Sequence, residues 1–308
     1  MTHSGLEPPL IQKNNNLALR NLTYLFQTGL VIGLLWVLHR LDYPTRLRFG
    51  GWFFSRVVVR VTQYQRRILQ NLALIFPNLT STEAKKLSQR ISQNIGITFT
   101  ELFSPKDFVQ RNTNYTLTGK GFEALKTAQT KGQPAIVVSG HFGNYDVVRT
   151  NLIREGLNVG GLYRRMENPY FHDLYIKSIS AIGDGLFERG LPGLKGMLKF
   201  LRGGGVLAVL IDQRISGGET LNFMGHPAYT SLSIAELALK LKAVVVPAYA
   251  VRKPDLSYDI VIEDPIVPST ARQMTQELND SLSKQIRTHP EQWFWIHRRW
   301  LHASPTKD

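Results

Sequence analysis

There is no cysteine anywhere in the 308 residues. That excludes disulfides and thiolate catalysis, and it leaves His and carboxylates as the conventional zinc ligands. A chain without thiols also suits a reducing compartment. Acid is scarce as well: 23 Asp and Glu stand against 37 Lys and Arg, a formal net charge of +14. So basic a chain is suited to approach something anionic, such as nucleic acid, acidic lipid or an acidic carrier protein. Zinc-finger spacing, an aromatic RNP-type strand and a long basic helix with heptads are all missing, so nucleic acid is not an expected partner. Internal repeats and low-complexity linkers are missing too. What remains is 43% hydrophobic and 19% charged, ordinary for a globular core and long enough for one large α/β domain with an appendage.

Residues 1–20 are polar and contain Pro and Asn, and read as a loose tail. Leu22 to Leu38, "LTYLFQTGLVIGLLWVL", carries no charge. Its 17 residues sit at the lower limit for a spanning helix of roughly 20. It lies far from the N-terminus for a signal peptide and lacks a small-residue cleavage site. It is either a buried amphipathic helix or a membrane anchor, spanning or half-buried. The flank favours an anchor over residues 21–39. Arg40, Arg46, Arg48, Arg56, Arg60, Arg66 and Arg67 follow, with Asp42 the one acid among them. Such a basic stretch, residues 40–69, gains from an anionic leaflet and would leave the remainder in the cytoplasm. Trp36 and Trp52 are candidates for the interface or for the core.

"TSTEAKKLSQRISQNIGITFTELF" predicts a helix capped by Thr80 or Ser81 with Glu83 in its first turn. From about Tyr115 the pattern changes. "AIVVSG", "VGGLYRR", "GVLAVLIDQR", "AVVVPAYAVR" and "YDIVIEDPIV" are short apolar runs parted by helical stretches, which suggests a sheet covered on both faces. Residues 70–308 therefore read as one catalytic-type domain.

The stretch "SGHFGNYD", Ser139 to Asp146, carries the chemistry. His-x-x-x-x-Asp on a regular helix would splay the two side chains. They converge if His141 lies on a loop and Asp146 in the first helical turn, and Gly140 and Gly143 permit that turn. An Asp that accepts from one imidazole nitrogen fixes the tautomer and frees the other to take a proton from a substrate hydroxyl. The competing reading is a histidine that merely closes a loop. Arg164 follows the next strand and could face the same pocket; its planar fork suits a phosphate, unless it is a solvated surface arginine, as Arg165 is still more readily. Asp212 and Arg214, in "IDQR", end an apolar strand, where ligand contacts gather in open sheets; an internal Asp–Arg pair accounts for them equally well. Trp293, Trp295, Trp300 and His297 read as packing. His172 and His226 have no convincing metal spacing, so no metal is expected.

Five blocks in order, from about Leu22 to Leu301, carry a resemblance: "RRILQNLALIFPNLTSTE", "SGHFGNYD", "LYRRMENPYF", "DQRISGGETLNFMGHPA" and "EQWFWIHRRW". The chain resembles the bacterial lipid A biosynthesis acyltransferases of the lauroyl/myristoyl type, within the acyltransferases that share a His-x-x-x-x-Asp/Glu signature. Two departures stand out: Asp146 where many relatives carry Glu, and Phe223-Met224-Gly225 where relatives often have Phe-Phe-Gly. The resemblance implies an α/β fold with a mixed central sheet flanked by helices behind an N-terminal membrane-anchoring helix. It implies transfer of a fatty acyl chain from acyl carrier protein to a hydroxyl of a lipid A precursor, without a cofactor. His141 would be the general base and Asp146 its orienter, with Arg164, Asp212 and Arg214 contacting substrate. The setting would be the bacterial inner membrane, catalytic domain on the cytoplasmic side, with anionic lipid, the lipid A precursor and acyl carrier protein as partners. Two alternatives are an acyltransferase for another membrane glycolipid and a non-enzymatic protein that binds anionic lipid.

Overall fold

The computed structural model describes residues 10–112 and 115–300. Helix α1 runs Leu10–Leu38 without a break, so part of the expected tail is helical; residues 1–9 lie outside the described residues. Asp42 caps α2 (Tyr43–Phe53), its carboxylate accepting from the Thr45 amide, with Pro44 in the first turn where a missing N–H costs nothing. A π-helical stretch, Phe54–Val58, leads into α3 (Val59–Val61) and then α4 (Tyr64–Ile75). Helix α4 crosses the expected boundary near residue 70, and its Ile68, Leu72 and Ile75 are packed inside the domain. Helix α5 (Ser81–Leu102) opens on a full capping box between Thr80 and Glu83, as its sequence indicates. Helices α6 (Pro105–Arg111) and α7 (Lys120–Thr130) precede the sheet.

The sheet follows the apolar runs: β1 (Ala135–Ser139), β2 (Val159–Tyr163), β4 (Val206–Leu210), β7 (Val244–Arg252) and β8 (Tyr258–Ile262). Three short strands complete the set: β3 (Leu186–Glu188), and β5 (Glu219–Phe223) with β6 (His226–Thr230) in a separate hairpin. Helices α8 (Tyr145–Arg154), α9 (Pro169–Ser180), α10 (Leu191–Arg202), α11 (Ser233–Leu241) and α12 (Ala271–Thr288) lie between and after them. The order is β3-β2-β4-β1-β7-β8; β8 runs antiparallel to β7 and the other pairings are parallel. Strand β1 alternates between the faces. Ala135 and Val137 pack among α7 and α8, and Ile136 and Val138 among α10, α11 and α12. Every residue of β1 is buried, which is why its sequence shows an unbroken apolar run instead of an alternating one.

The connections fix where a site can form. The chain leaves β1 toward β2 on one side, while β4 leads to β7 on the other. The loops after these adjacent strands therefore diverge and open a crevice at their C-terminal ends.

Candidate active site

The parallel register pairs Ser139 of β1 with Leu210 of β4. Two residues beyond each partner come His141 and Asp212, brought face to face across the crevice. Asp212 is fully buried, and the His141 side chain keeps 23% of its exposure. The Asp212 Oδ1 lies 2.8 Å from His141 Nδ1, and Oδ2 accepts from the His141 backbone N–H at 2.8 Å and from the Trp293 indole N–H at 2.8 Å. Burial works to raise the Asp212 carboxyl, but the facing imidazole and these hydrogen bonds outweigh it and hold the group far below the usual carboxylate range. An ionised Asp212 accepts, so Nδ1 carries the proton. His141 Nε2 has no hydrogen-bond partner among the described residues, and His141 lines the cavity.

This corrects one expectation. Asp146, in the first turn of α8, makes no hydrogen bond to His141; Asp212 holds the imidazole in its place. Asp146 is 8% exposed, lines the same cavity and sits near Arg149, which only partly offsets the desolvation that raises its carboxyl pKa. The sequence points to both aspartates. Their roles are set by strand register, which one chain's local spacing does not contain.

The turn between them is clamped from two sides. Gly143 has φ +54°, and a Cβ there would run into the Ala250 carbonyl oxygen. Its N–H donates to the Gln292 carbonyl at 2.8 Å, its carbonyl accepts from Thr98, and Phe294 N–H donates to the His141 carbonyl at 3.0 Å. Asn144 caps α8 by accepting from Asp146 N–H, and donates to Glu101 at 2.9 Å. Glu101, 1% exposed, also takes an ion pair from Arg252 at 2.6 Å and the Tyr258 hydroxyl at 2.8 Å. Arg252 donates further to Asn94 and to Thr98. Neither Glu101 nor Arg252 carries a local sequence signal of its role. A glutamate in a helix and an arginine at a strand end look like surface charges until the fold buries both.

The cavity beside His141 is about 650 Å³, the size of a small-molecule site. Its walls are mainly apolar (Val137, Val148, Leu152, Leu162, Ile179 and Ile211 among them), with Asp146 and Arg149 on one side, and Arg164, Arg165 and Arg189 also line it. Arg164 is exposed, with no ion pair among the described residues, whereas Arg165 is joined to Glu188 at 3.1 Å. Arg214 is not in the lining. It is exposed and reaches over the Tyr229 ring, 5.8 Å from its centroid, so its pairing with Asp212 does not form. Ser139 lines the cavity, and its hydroxyl makes no hydrogen bond to His141.

His297 completes the surroundings. Its ring is 4.9 Å from that of His141, and burial, with His141 beside it, lowers its pKa to about 3. Ligand atoms of His141, Asp212 and His297 lie within 4.8 Å of one another, the spacing of a loose metal cluster. Both Asp212 oxygens are already taken up by three N–H groups, which fits a hydrogen-bonded assembly.

A carboxylate-held imidazole at the mouth of an apolar cavity, with no serine against it, defines a group-transfer site in which a bound hydroxyl can serve as nucleophile. Comparison with known proteins makes that class specific. Residues 13–302 match the model of the bacterial lipid A biosynthesis acyltransferases, and the chain belongs to that family. It is similar to the lipid A biosynthesis lauroyltransferase of Escherichia coli K12, 26% identical over 284 residues that cover 88% of this chain and 90% of that one. Similarity also extends to the palmitoleoyltransferase of the same organism, 23% identical over 87% of this chain and 89% of that one. A lipid A biosynthesis acyltransferase of Shigella flexneri matches to the same extent, 23% identical. The chain is thus an acyltransferase of lipid A biosynthesis.

Proposed function

We propose that the protein transfers a fatty acyl chain from acyl carrier protein to a hydroxyl of a lipid A precursor, at the cytoplasmic face of the bacterial inner membrane. His141 Nε2 takes the proton as the hydroxyl oxygen bonds to the thioester carbon. The carbon–sulfur bond then breaks, and the proton passes to the departing thiolate of the carrier. Asp212 keeps the imidazole in the tautomer this needs and stabilises the cation that forms. The acyl chain lies in the apolar cavity. Arg164, exposed at the lining and with no ion pair among the described residues, grips a phosphate of the acceptor or of the carrier's phosphopantetheine. The observation that carries this reading is the His141–Asp212 pair at the lip of that cavity in a chain of this family. No cofactor is needed for the step.

The test is direct. Detergent-extracted protein is incubated with a tetra-acylated lipid A precursor and acyl carrier proteins charged with chains of different length, and the products are weighed. A product heavier by one acyl chain, formed far more slowly with His141→Ala, is expected. No transfer from any acyl carrier protein would sink the donor assignment.

A further inference from the structure

Helix α1 contains a 20-residue stretch, Leu19–Leu38, long and apolar enough to cross a membrane. Its packing argues for another placement. One stripe is turned to the protein: Thr28 is 5% exposed, Leu35 9% and Leu38 3%, with Tyr24 and Val31 half-buried on the same side. The opposite side stands open, with Leu22 64% exposed, Phe26 68%, Leu30 60% and Trp36 62%. The docked stripe from Tyr24 to Leu38 is roughly 21 Å long at about 1.5 Å per residue.

Both ends of that stripe are fastened. Asn168, which caps α9, donates to the Tyr24 carbonyl at 3.2 Å and bonds the Thr28 hydroxyl at 3.1 Å. At the other end Arg46 donates to the Leu38 and Leu41 carbonyls and pairs with Asp107 at 2.6 Å. A helix tied in this way moves with the domain.

Thr28 is the tenth of the twenty residues. Were α1 to span a bilayer, Thr28 would sit at the midplane, and Asn168 with it. The exposed Arg164, Arg165 and Glu167 precede Asn168 directly. Three charges would then be carried into hydrocarbon, where they are expensive and rare. We infer that α1 does not cross the membrane but lies along one leaflet, its outer stripe sunk about 5–10 Å into the acyl boundary while its inner stripe stays on the domain. The next helices suit the same surface. The outward side of α2, the π-helical stretch and α3 interleaves exposed Arg48, Arg56 and Arg60 with Phe49, Trp52 and Val61, the last 79% exposed. Arginine alternating with apolar side chains matches an anionic headgroup layer over hydrocarbon. Arg40, its guanidinium 4.3 Å from the centroid of the Trp36 ring, lies where the apolar stripe ends. This placement sets the Arg164 lip at headgroup depth, so a lipid reaches the cavity sideways from the leaflet. The inference rests on the membrane association in the proposed function, and on nothing about donor or acceptor.

Because the chain has no cysteine, single-cysteine variants report cleanly. Full-length Leu22→Cys, Phe26→Cys, Leu30→Cys and Trp36→Cys, spin-labelled on vesicles of zwitterionic and anionic phospholipid, should all show one shallow depth. Asn21→Cys and Lys131→Cys should react with an impermeant maleimide from the same side. A depth profile deepest at Leu30, with Asn21→Cys protected where Lys131→Cys reacts, would overturn the inference in favour of a span. A second variant, Thr28→Cys with Asn168→Cys, should form its disulfide in the vesicle-bound protein, and failure to form it on vesicles after forming in detergent would show that α1 leaves the domain. Wild-type protein that fails to float with vesicles refutes membrane association itself and leaves the acyltransferase assay to be judged separately.

Discussion

The two walls of the His141 turn treat a buried aspartate in opposite ways. On the β4 side Asp212 receives three N–H donors and stays ionised. On the α8 side Asp146 receives none, and desolvation drives it toward its protonated form. Two carboxylates beside one histidine turn, one five residues on and the other brought in from 71 residues away, are thus pushed apart by surroundings alone, the pattern by which a fold assigns different tasks to the same side chain. The polar wall holds the imidazole. The poorly solvated wall belongs to the cavity. Burial by itself raises both groups; what separates them is whether the neighbouring strand and the Trp293 segment supply donors.

The comparison is broken most severely at the histidine. His141→Ala should lower initial acyl-transfer rates by roughly 10²–10⁴ with the fold intact by circular dichroism, and Asp212→Asn should fall in the same range because the wrong tautomer is then available. Wild-type rates in folded Asp212→Asn would remove Asp212 as the orienter. Next in size is the clamp behind the turn. Glu101→Ala leaves Arg252 buried without its partner, so stability should drop by about 3–5 kcal/mol, read as a lower midpoint in urea at unchanged slope; a midpoint within error of wild type would mean that the pair is dispensable.

A paired melting experiment sharpens the contrast itself. Asp212 has a lowered folded-state pKa, so its contribution is present above the unfolded value and is lost as pH falls through the folded one. Asp146 has a raised folded-state pKa, so its protonated form is fully accommodated below about pH 4 and becomes a liability as pH rises. At neutral pH Asp212→Asn should therefore lower Tm and Asp146→Asn should hold or raise it, whatever each does to turnover. Shifts of the same sign at pH 7 would refute the opposition. His297 gives a smaller signature. With its pKa lowered from 6.5 to about 3, the folded state binds fewer protons than the unfolded one between those values, so stability is complete above pH 6.5 and declines as pH falls toward 3. His297→Gln should flatten Tm against pH over that window, and an unchanged slope would place the acid sensitivity elsewhere. The smallest effect belongs to Arg164→Lys, a several-fold loss with a bisphosphorylated acceptor that shrinks when that phosphate is missing; equal loss with both acceptors would move the contact to the carrier.

Much of this was legible in one dimension. The apolar runs at Ala135, Val159, Val206 and Val244 are strands because residues buried on both faces need no alternation, and Thr80 with Glu83 caps α5 because that spacing closes two backbone donors locally. His141 was legible for a similar reason, since two glycines and a following helix cap mark a turn whatever surrounds it. Arg214 was not: past the end of β4 the chain is irregular, and two residues on from the inward Asp212 it turns Arg214 out over Tyr229. Sequence alone determined the elements, the glycine turn and the presence of a histidine with acids near it, because these depend on propensities and spacings within a few residues. Tertiary structure decided which aspartate holds that histidine, that Glu101 and Arg252 lie buried behind it, and that α1 is fastened along the domain. Those depend on strand register and on desolvation by segments remote in the chain, and a charge's partner or its loss of water exists only once they meet.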